Sequence, residues 1–98
     1  MTTLETLIAA IRERRVITFT YSGIARTAQP HAVGVSRTGK DVLRCYQTKG
    51  GHVKPGHEWD FCSLSKIVGL AMTETSFEGV RDGYERDDKH MRRIYAQL

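Results

Sequence analysis

Leu4, Leu7, Ile8 and Ile11 fall at i, i+3, i+4 and i+7, and Thr2 precedes Glu5 by three positions, so an amphipathic helix with an N-terminal capping box is predicted. That helix is expected to run through Arg12-Glu13-Arg14-Arg15, after which the period changes to two. In Val16 to Tyr21, Ile17, Phe19 and Tyr21 share one face and Thr18 and Thr20 the other, the pattern of a strand. Ser22-Gly23 supplies a turn, and Ala25 to Ser36 reads as a second extended segment interrupted at Pro30 by a bend or a sheet edge. Thr38-Gly39-Lys40-Asp41 reads as a hairpin connection into a strand over Val42 to Thr48. Leu43, Cys45 and Gln47 share one side of that strand; Val42, Arg44, Tyr46 and Thr48 share the other. Lys49 to His57, with three glycines and a proline, is expected to be a long exposed loop.

Trp59 to Leu64 and Lys66 to Met72 read as two more strand segments, with a bend at Ser63 or Ser65. From Thr73 to Asp88 the chain is polar apart from Phe77, Val80 and Tyr84. Met91, Ile94, Tyr95 and Leu98 then repeat the helical spacing and predict a C-terminal amphipathic helix capped by Asp87 or Asp88. The expected fold is α+β, mostly β: about five short strands bracketed by two helices. One domain is expected over residues 1–98, with a core over about 4–72 and an extension over 73–98.

A length of 98 residues holds one small module, which excludes a Rossmann-type dehydrogenase or an α/β barrel. Apolar residues at 40% and charged residues at 27% describe a chain able to fold. Two cysteines are too few for a disulfide scaffold, and neither a signal-peptide pattern nor an apolar span is present, so a cytoplasmic protein with free thiols is expected. The net charge of +4 invites an anionic partner, and it is unevenly spread. Residues 1–49 carry 8 Lys or Arg and 3 Asp or Glu, net +5; residues 50–98 carry 7 and 8, net −1.

Cys45, His52, His57 and Cys62 comprise a tetrahedral zinc ligand set by residue type, but they lack the close cysteine pair of a zinc knuckle. The favoured reading makes the cysteines sheet residues and the histidines loop surface, so no metal or cofactor is expected. Nucleophile elbows and phosphate-cradling glycine loops are absent, and Asp41, Glu58 and Asp60 read as solvated strand ends, so a non-enzymatic protein without catalytic residues is expected. The better-supported constellation is polar and aromatic: Tyr21, Arg26, His31, Arg44, Tyr46, Gln47, Lys49 and Trp59. Arginine forks suit phosphate and aromatic faces suit a stacked base. Arg44 carries most weight, because it lies in a strand between Leu43 and Cys45.

The helix end Ala10-Ile11-Arg12-Glu13-Arg14, the strand Ile17 to Tyr21, Arg26 followed by Pro30-His31-Ala32-Val33-Gly34, then Leu43-Arg44-Cys45-Tyr46 and Leu64-Ser65-Lys66-Ile67 together resemble a WYL domain over about residues 4–72. The resemblance implies an Sm-like, SH3-like small β barrel that senses a ligand, commonly a nucleotide or nucleic acid, in bacterial transcription regulators. The tripeptide that names the family falls on Asp41-Val42-Leu43, of which Leu43 matches; the family's arginine before the Leu-Asp-Arg-Ile segment falls on Ser63, and its later Arg on Lys66. Tyr21, Arg26, the Pro30-His31 pair, Leu43 and Ile67 carry over by position. Only three residues precede the first apolar helix position, so any helix-turn-helix is expected to belong to another chain or to be absent.

The expected function is a regulatory or signal-sequestering module that recognises a nucleotide or short single-stranded nucleic acid, with no membrane partner. The alternative is a structural module that homo-oligomerises, most simply as a dimer, or docks on a regulatory protein such as a DNA-binding regulator.

Overall fold

In the computed structural model, which describes residues 1–50 and 58–98, the first helix, α1 (Thr3–Glu13), starts where the capping box predicts. The Thr2 hydroxyl accepts from Glu5 N–H at 3.1 Å, and the Glu5 carboxylate accepts from Thr2 N–H at 2.9 Å. The helix stops two residues short of the expected end. Arg14 turns left-handed, at φ 54°, and its N–H closes back on the Ala10 and Ile11 carbonyls. Leu7, Ala10 and Ile11 are buried against the sheet.

Six strands follow among the described residues: β1 (Arg15–Tyr21), β2 (Ile24–Ser36), β3 (Asp41–Gly50), β4 (Trp59–Ser63), β5 (Val68–Ser76) and β6 (Met91–Gln97). A single 3-10 turn, Leu64–Lys66, stands at the bend expected near Ser63 or Ser65. The sheet is antiparallel in the order β4-β3-β2-β1-β5, with β6 beside β2. Among the described residues β4 and β5 do not pair, so the sheet is open and the expected closed barrel is not seen. The core joins α1 to Ile17, Phe19, Val33, Leu43 and Cys45.

β2 is long enough to hold two partners on one edge. Ile24–Ala28 pairs with β1, and Ala32–Ser36 pairs with β6, while β3 lines the other edge throughout. The break between the two halves is a bulge: Pro30 opposes Cys45 and Ala32 opposes Arg44, leaving His31 unopposed. Pro30, expected to interrupt the segment, instead sits buried inside a continuous strand, where the bulge accommodates its missing N–H.

The expected C-terminal helix is a strand, and the error has a physical cause. β6 is bulged at Arg92 and at Tyr95: Ser36 opposes Met91, Val35 opposes Arg93, Gly34 opposes Ile94 and Val33 opposes Ala96. Each extra residue stretches the period of two, so the inward side chains Met91 and Ile94 are three apart, as on a helix. Asp88 is correspondingly not a helix cap. Its carbonyl accepts from Met91 N–H at 3.0 Å in a turn.

β6 reaches β2 because position 34 lacks a side chain. A Cβ on Gly34 would overlap the Arg93 carbonyl oxygen and press on Ile94 Cα at 3.0 Å. Gly34→Ala should therefore displace β6 and lower stability by about 1–3 kcal/mol, the usual cost of overpacking, read as a reduced midpoint in urea unfolding.

Candidate functional site

The bulge turns His31 onto the face of the sheet that carries Arg44, Tyr46, Trp59 and Phe61. Its ring is fully buried among Trp59 at 4.8 Å, Tyr84 at 5.0 Å and Phe77 at 5.9 Å, centroid to centroid. Nε2 accepts from Arg81 N–H at 3.1 Å, and Nδ1 lies 2.9 Å from the Gln29 carbonyl, which assigns the proton to Nδ1. The His31 carbonyl accepts from Leu98 N–H at 2.9 Å and from the Tyr84 hydroxyl at 3.4 Å. His31 thus pins the returning chain from both of its ends. Around it, Trp59 Nε1 donates to the Asp82 carbonyl at 3.0 Å, and the Arg81 guanidinium lies 4.3 Å from the Tyr46 ring centroid.

Beside this cluster Arg44, Trp59, Gly83, Tyr84, Lys89 and His90, with Glu85 and Asp88, line a cleft of about 250 Å³. Arg44 is held on three sides. Nε donates to Asp88 Oδ2 at 2.8 Å, Nη2 lies 3.3 Å from His90 Nδ1, and the guanidinium stacks 4.3 Å from the Phe61 ring centroid. Nη1 has no hydrogen-bond partner among the described residues. Burial pushes the Asp88 carboxyl up, but hydrogen bonds from Arg44 and from His90 N–H outweigh it and hold the group below its ordinary value. The arginine is therefore fixed by a charged partner and presents one donor arm.

A second cluster occupies the opposite face, because Asp60 and Phe61 alternate along β4. Arg26 Nη1 donates to Asp60 Oδ2 at 3.2 Å and to Gln47 Oε1 at 3.4 Å, Nη2 donates to the Tyr21 carbonyl at 3.4 Å, and the guanidinium lies 5.3 Å from the Tyr21 ring centroid. Arg26 Nε is buried with no hydrogen-bond partner among the described residues. The Tyr21 hydroxyl accepts from Ser63 N–H at 3.1 Å, and buried Gln47 donates to the Lys49 carbonyl at 3.2 Å.

The eight residues singled out in the sequence consequently divide. Arg44, Tyr46, Trp59 and His31 gather on one face; Tyr21, Arg26 and Gln47 gather on the other; Lys49 is exposed near the end of β3. No known protein family, curated protein or solved structure matches the chain. Gly83, Tyr84, Glu85, Asp88, Lys89 and His90 complete the cleft and are not marked as site residues by the sequence, since no spacing pairs position 44 with position 88. The one local signal was Asp88-Lys89-His90, a carboxylate, ammonium and imidazole in succession.

Cys45 and Cys62 are buried and free, on neighbouring strands. A hydrogen bond to Cys62, together with burial, raises the Cys45 thiol well above its ordinary value, so it is not an activated nucleophile. No group of three or more His, Cys, Asp or Glu that could hold a metal occurs among the described residues. His52 and His57 of the candidate zinc set lie outside those residues.

Burial lowers the His31 imidazole below its ordinary value; the Gln29 carbonyl opposes this and the Arg81 charge adds to it. The unfolded chain therefore takes up a proton that the folded chain refuses. Stability from this residue is complete above about pH 6.5, the unfolded value, and is lost as pH falls below it toward the depressed folded value. Urea unfolding between pH 7.5 and 5 should show this decline, and His31→Gln should flatten it while lowering stability throughout.

Proposed function

We propose that the chain is a non-enzymatic, WYL-like sensing module that takes a nucleotide in the Arg44 and Trp59 cleft, in a regulatory or sequestering role. The observation that carries this reading is the meeting of a pre-oriented arginine with an indole and a phenol ring in one cavity. The Trp59 and Tyr84 rings lie nearly parallel, 6.0 Å apart by centroid, and offer faces to a base. Arg44 Nη1, Lys89 and His90 supply donors to phosphate, and Glu85 supplies an acceptor to base or sugar. The cleft lies just under the roughly 300–1,000 Å³ of ordinary small-molecule sites, which limits the occupant to about one nucleotide.

The Sm-like assignment rests on the same footing. An N-terminal helix, a meander from β1 to β4 and the return of β5 to β1 are the parts of a small barrel whose closure lacks only the β4 to β5 contact. A cytoplasmic setting agrees with two free thiols, and no helix among the described residues is long and apolar enough to cross a membrane.

A second reading is favoured by those same open edges. β4 and β5 each pair on one side among the described residues, and Val68 and Met72 on β5 are 64% and 37% exposed. A second copy or a regulatory protein would add to such an edge. Light scattering is expected to give a dimer mass for the native chain and a monomer mass for Val68→Lys/Met72→Lys; a monomeric native chain rejects self-assembly.

Trp59 is the only tryptophan, so its fluorescence reports the cleft directly. Titration with nucleoside mono- and diphosphates should quench it saturably. Arg44→Ala should weaken binding by about tenfold or more, the scale of a charged hydrogen bond. Arg44→Lys keeps the charge and guards against a misfolded variant; retention of native affinity by both variants would reject the assignment.

A further inference from the structure

The outer wall of the cleft is fastened to the sheet through a titratable group. Gly83, Tyr84 and Glu85 belong to the segment between β5 and β6, which forms neither helix nor strand, and Val80 within it is 61% exposed. Three contacts tie its middle to the sheet. Arg81 N–H donates to His31 Nε2 at 3.1 Å, the Tyr84 hydroxyl donates to the His31 carbonyl at 3.4 Å, and the Asp82 carbonyl accepts from Trp59 Nε1 at 3.0 Å. The two ends are held without the imidazole: Phe77 N–H donates to the Arg14 carbonyl at 2.9 Å, and Asp88 pairs with Arg44 at 2.8 Å. The groups that face the His31 ring are Trp59 from β4 and Phe77, Arg81 and Tyr84 from the segment. Arg81 is the charge that bears on the ring; its guanidinium lies over Tyr46 of β3 and disfavours a second positive charge. Burial pushes the Tyr84 phenol up, so it stays neutral. β2 brings the Gln29 carbonyl, the chain end brings Leu98 N–H, and Arg44 of β3 is neutralised by Asp88.

We propose that His31 is a proton switch for this wall: in mild acid its imidazolium no longer accepts the Arg81 N–H, and residues 80–85 leave the sheet face, opening the cleft while the sheet stays paired. A neutral imidazole has one donor and one acceptor, and His31 uses both, on the Gln29 carbonyl and the Arg81 N–H. An imidazolium carries N–H at both positions, so its Nε2–H is aimed at the Arg81 N–H inside a fully buried, mostly aromatic surround. The conflict is relieved by the less anchored partner. His31 lies in a strand held by β3 and β6, whereas Arg81 lies in a segment with no strand pairing. Opening stays local because the Asp88 anchor survives acid, its carboxyl being held below its ordinary value by Arg44 and His90 N–H. The switch regulates the cleft of the nucleotide reading and rests on that reading for its consequence, release of the nucleotide as the closed fraction falls.

The test is backbone hydrogen exchange read by NMR on the full chain without ligand, between about pH 7.5 and 5 and in low concentrations of urea. Protection of the Arg81 amide should fall about ten- to thirtyfold over that range, as for a group that titrates near 6.5 when released and lower when enclosed. Its exchange should be insensitive to low urea. The amides of β1, a strand paired on both edges, should exchange more slowly and with a urea dependence. His31→Gln keeps a donor and an acceptor without titrating and should abolish the pH dependence at Arg81; His90→Gln, which removes an imidazole lining the cleft, should leave it in place. The proposal is overturned if Arg81 protection in the native chain is the same at both ends of the pH range, or if it shares the urea dependence of β1. Neither result requires a variant to fold. Trp59 quenching by a nucleoside diphosphate is measured separately over the same range. Affinity lost in acid and retained in His31→Gln supports control of the ligand, and equal acid dependence in both chains overturns it. Absence of quenching at every pH rejects the nucleotide reading alone, and the exchange data still decide the switch.

Discussion

The unopposed His31 in the middle of β2 is the constraint on which the rest of the C-terminal half depends. A strand of thirteen residues that stayed regular would keep His31 in the β2–β3 pairing and leave the segment between β5 and β6 without an imidazole to fasten to. The bulge instead projects an imidazole that is satisfied at both nitrogens, and leaves its carbonyl free for Leu98 and Tyr84. Residues 77–88 have few apolar anchors of their own, so these directional contacts and the surrounding aromatic rings place them, while β6 beyond is held by its pairing with β2. The cleft is a product of that fastening: its inner wall is Arg44 and Trp59 on the sheet, and its outer wall is the returning segment.

Charge is organised by partnership more than by position in the chain. The basic first half loses much of its available charge to internal tasks. Arg14 and Arg15 hold the carbonyls of Glu78 and Glu74, Arg26 is paired with Asp60, and Arg44 with Asp88. Arg37 from the basic half and Arg92 and Arg93 from the nearly neutral half are among the cations that form no ion pair in the described residues. Net charge along the sequence therefore pointed to an anionic partner without locating it. A paired arginine such as Arg44 is suited to selective recognition, since its geometry is set in advance.

Elements whose signal is local were legible. The capping box of α1, the alternation of Ile17 and Phe19, the Ser22-Gly23 turn and the two faces of β3 follow from contacts within a few residues or from one period. β6 was misread because two bulges reproduce helical spacing, and nothing near residues 91–98 betrays them. They depend on Gly34, almost sixty residues earlier, leaving room for the Arg93 backbone. Of the candidate site, the sequence named the side chains on the sheet, Arg44 and Trp59, because an arginine and an indole in strands are conspicuous. It missed Asp88 and His90, whose meaning exists only through contact with Arg44, 44 positions before Asp88 in the chain.

By itself, then, the sequence determined one small, basic, mostly antiparallel domain with an N-terminal helix and a set of polar and aromatic strand residues, since hydrophobic period and turn chemistry act at short range. Only the tertiary structure decided that those residues form two clusters on opposite faces, that the last segment is a strand, and which arginines remain free. Those outcomes turn on sheet register, on two bulged strands and on ion pairs between distant positions, and such interactions have no period for a linear reading to detect.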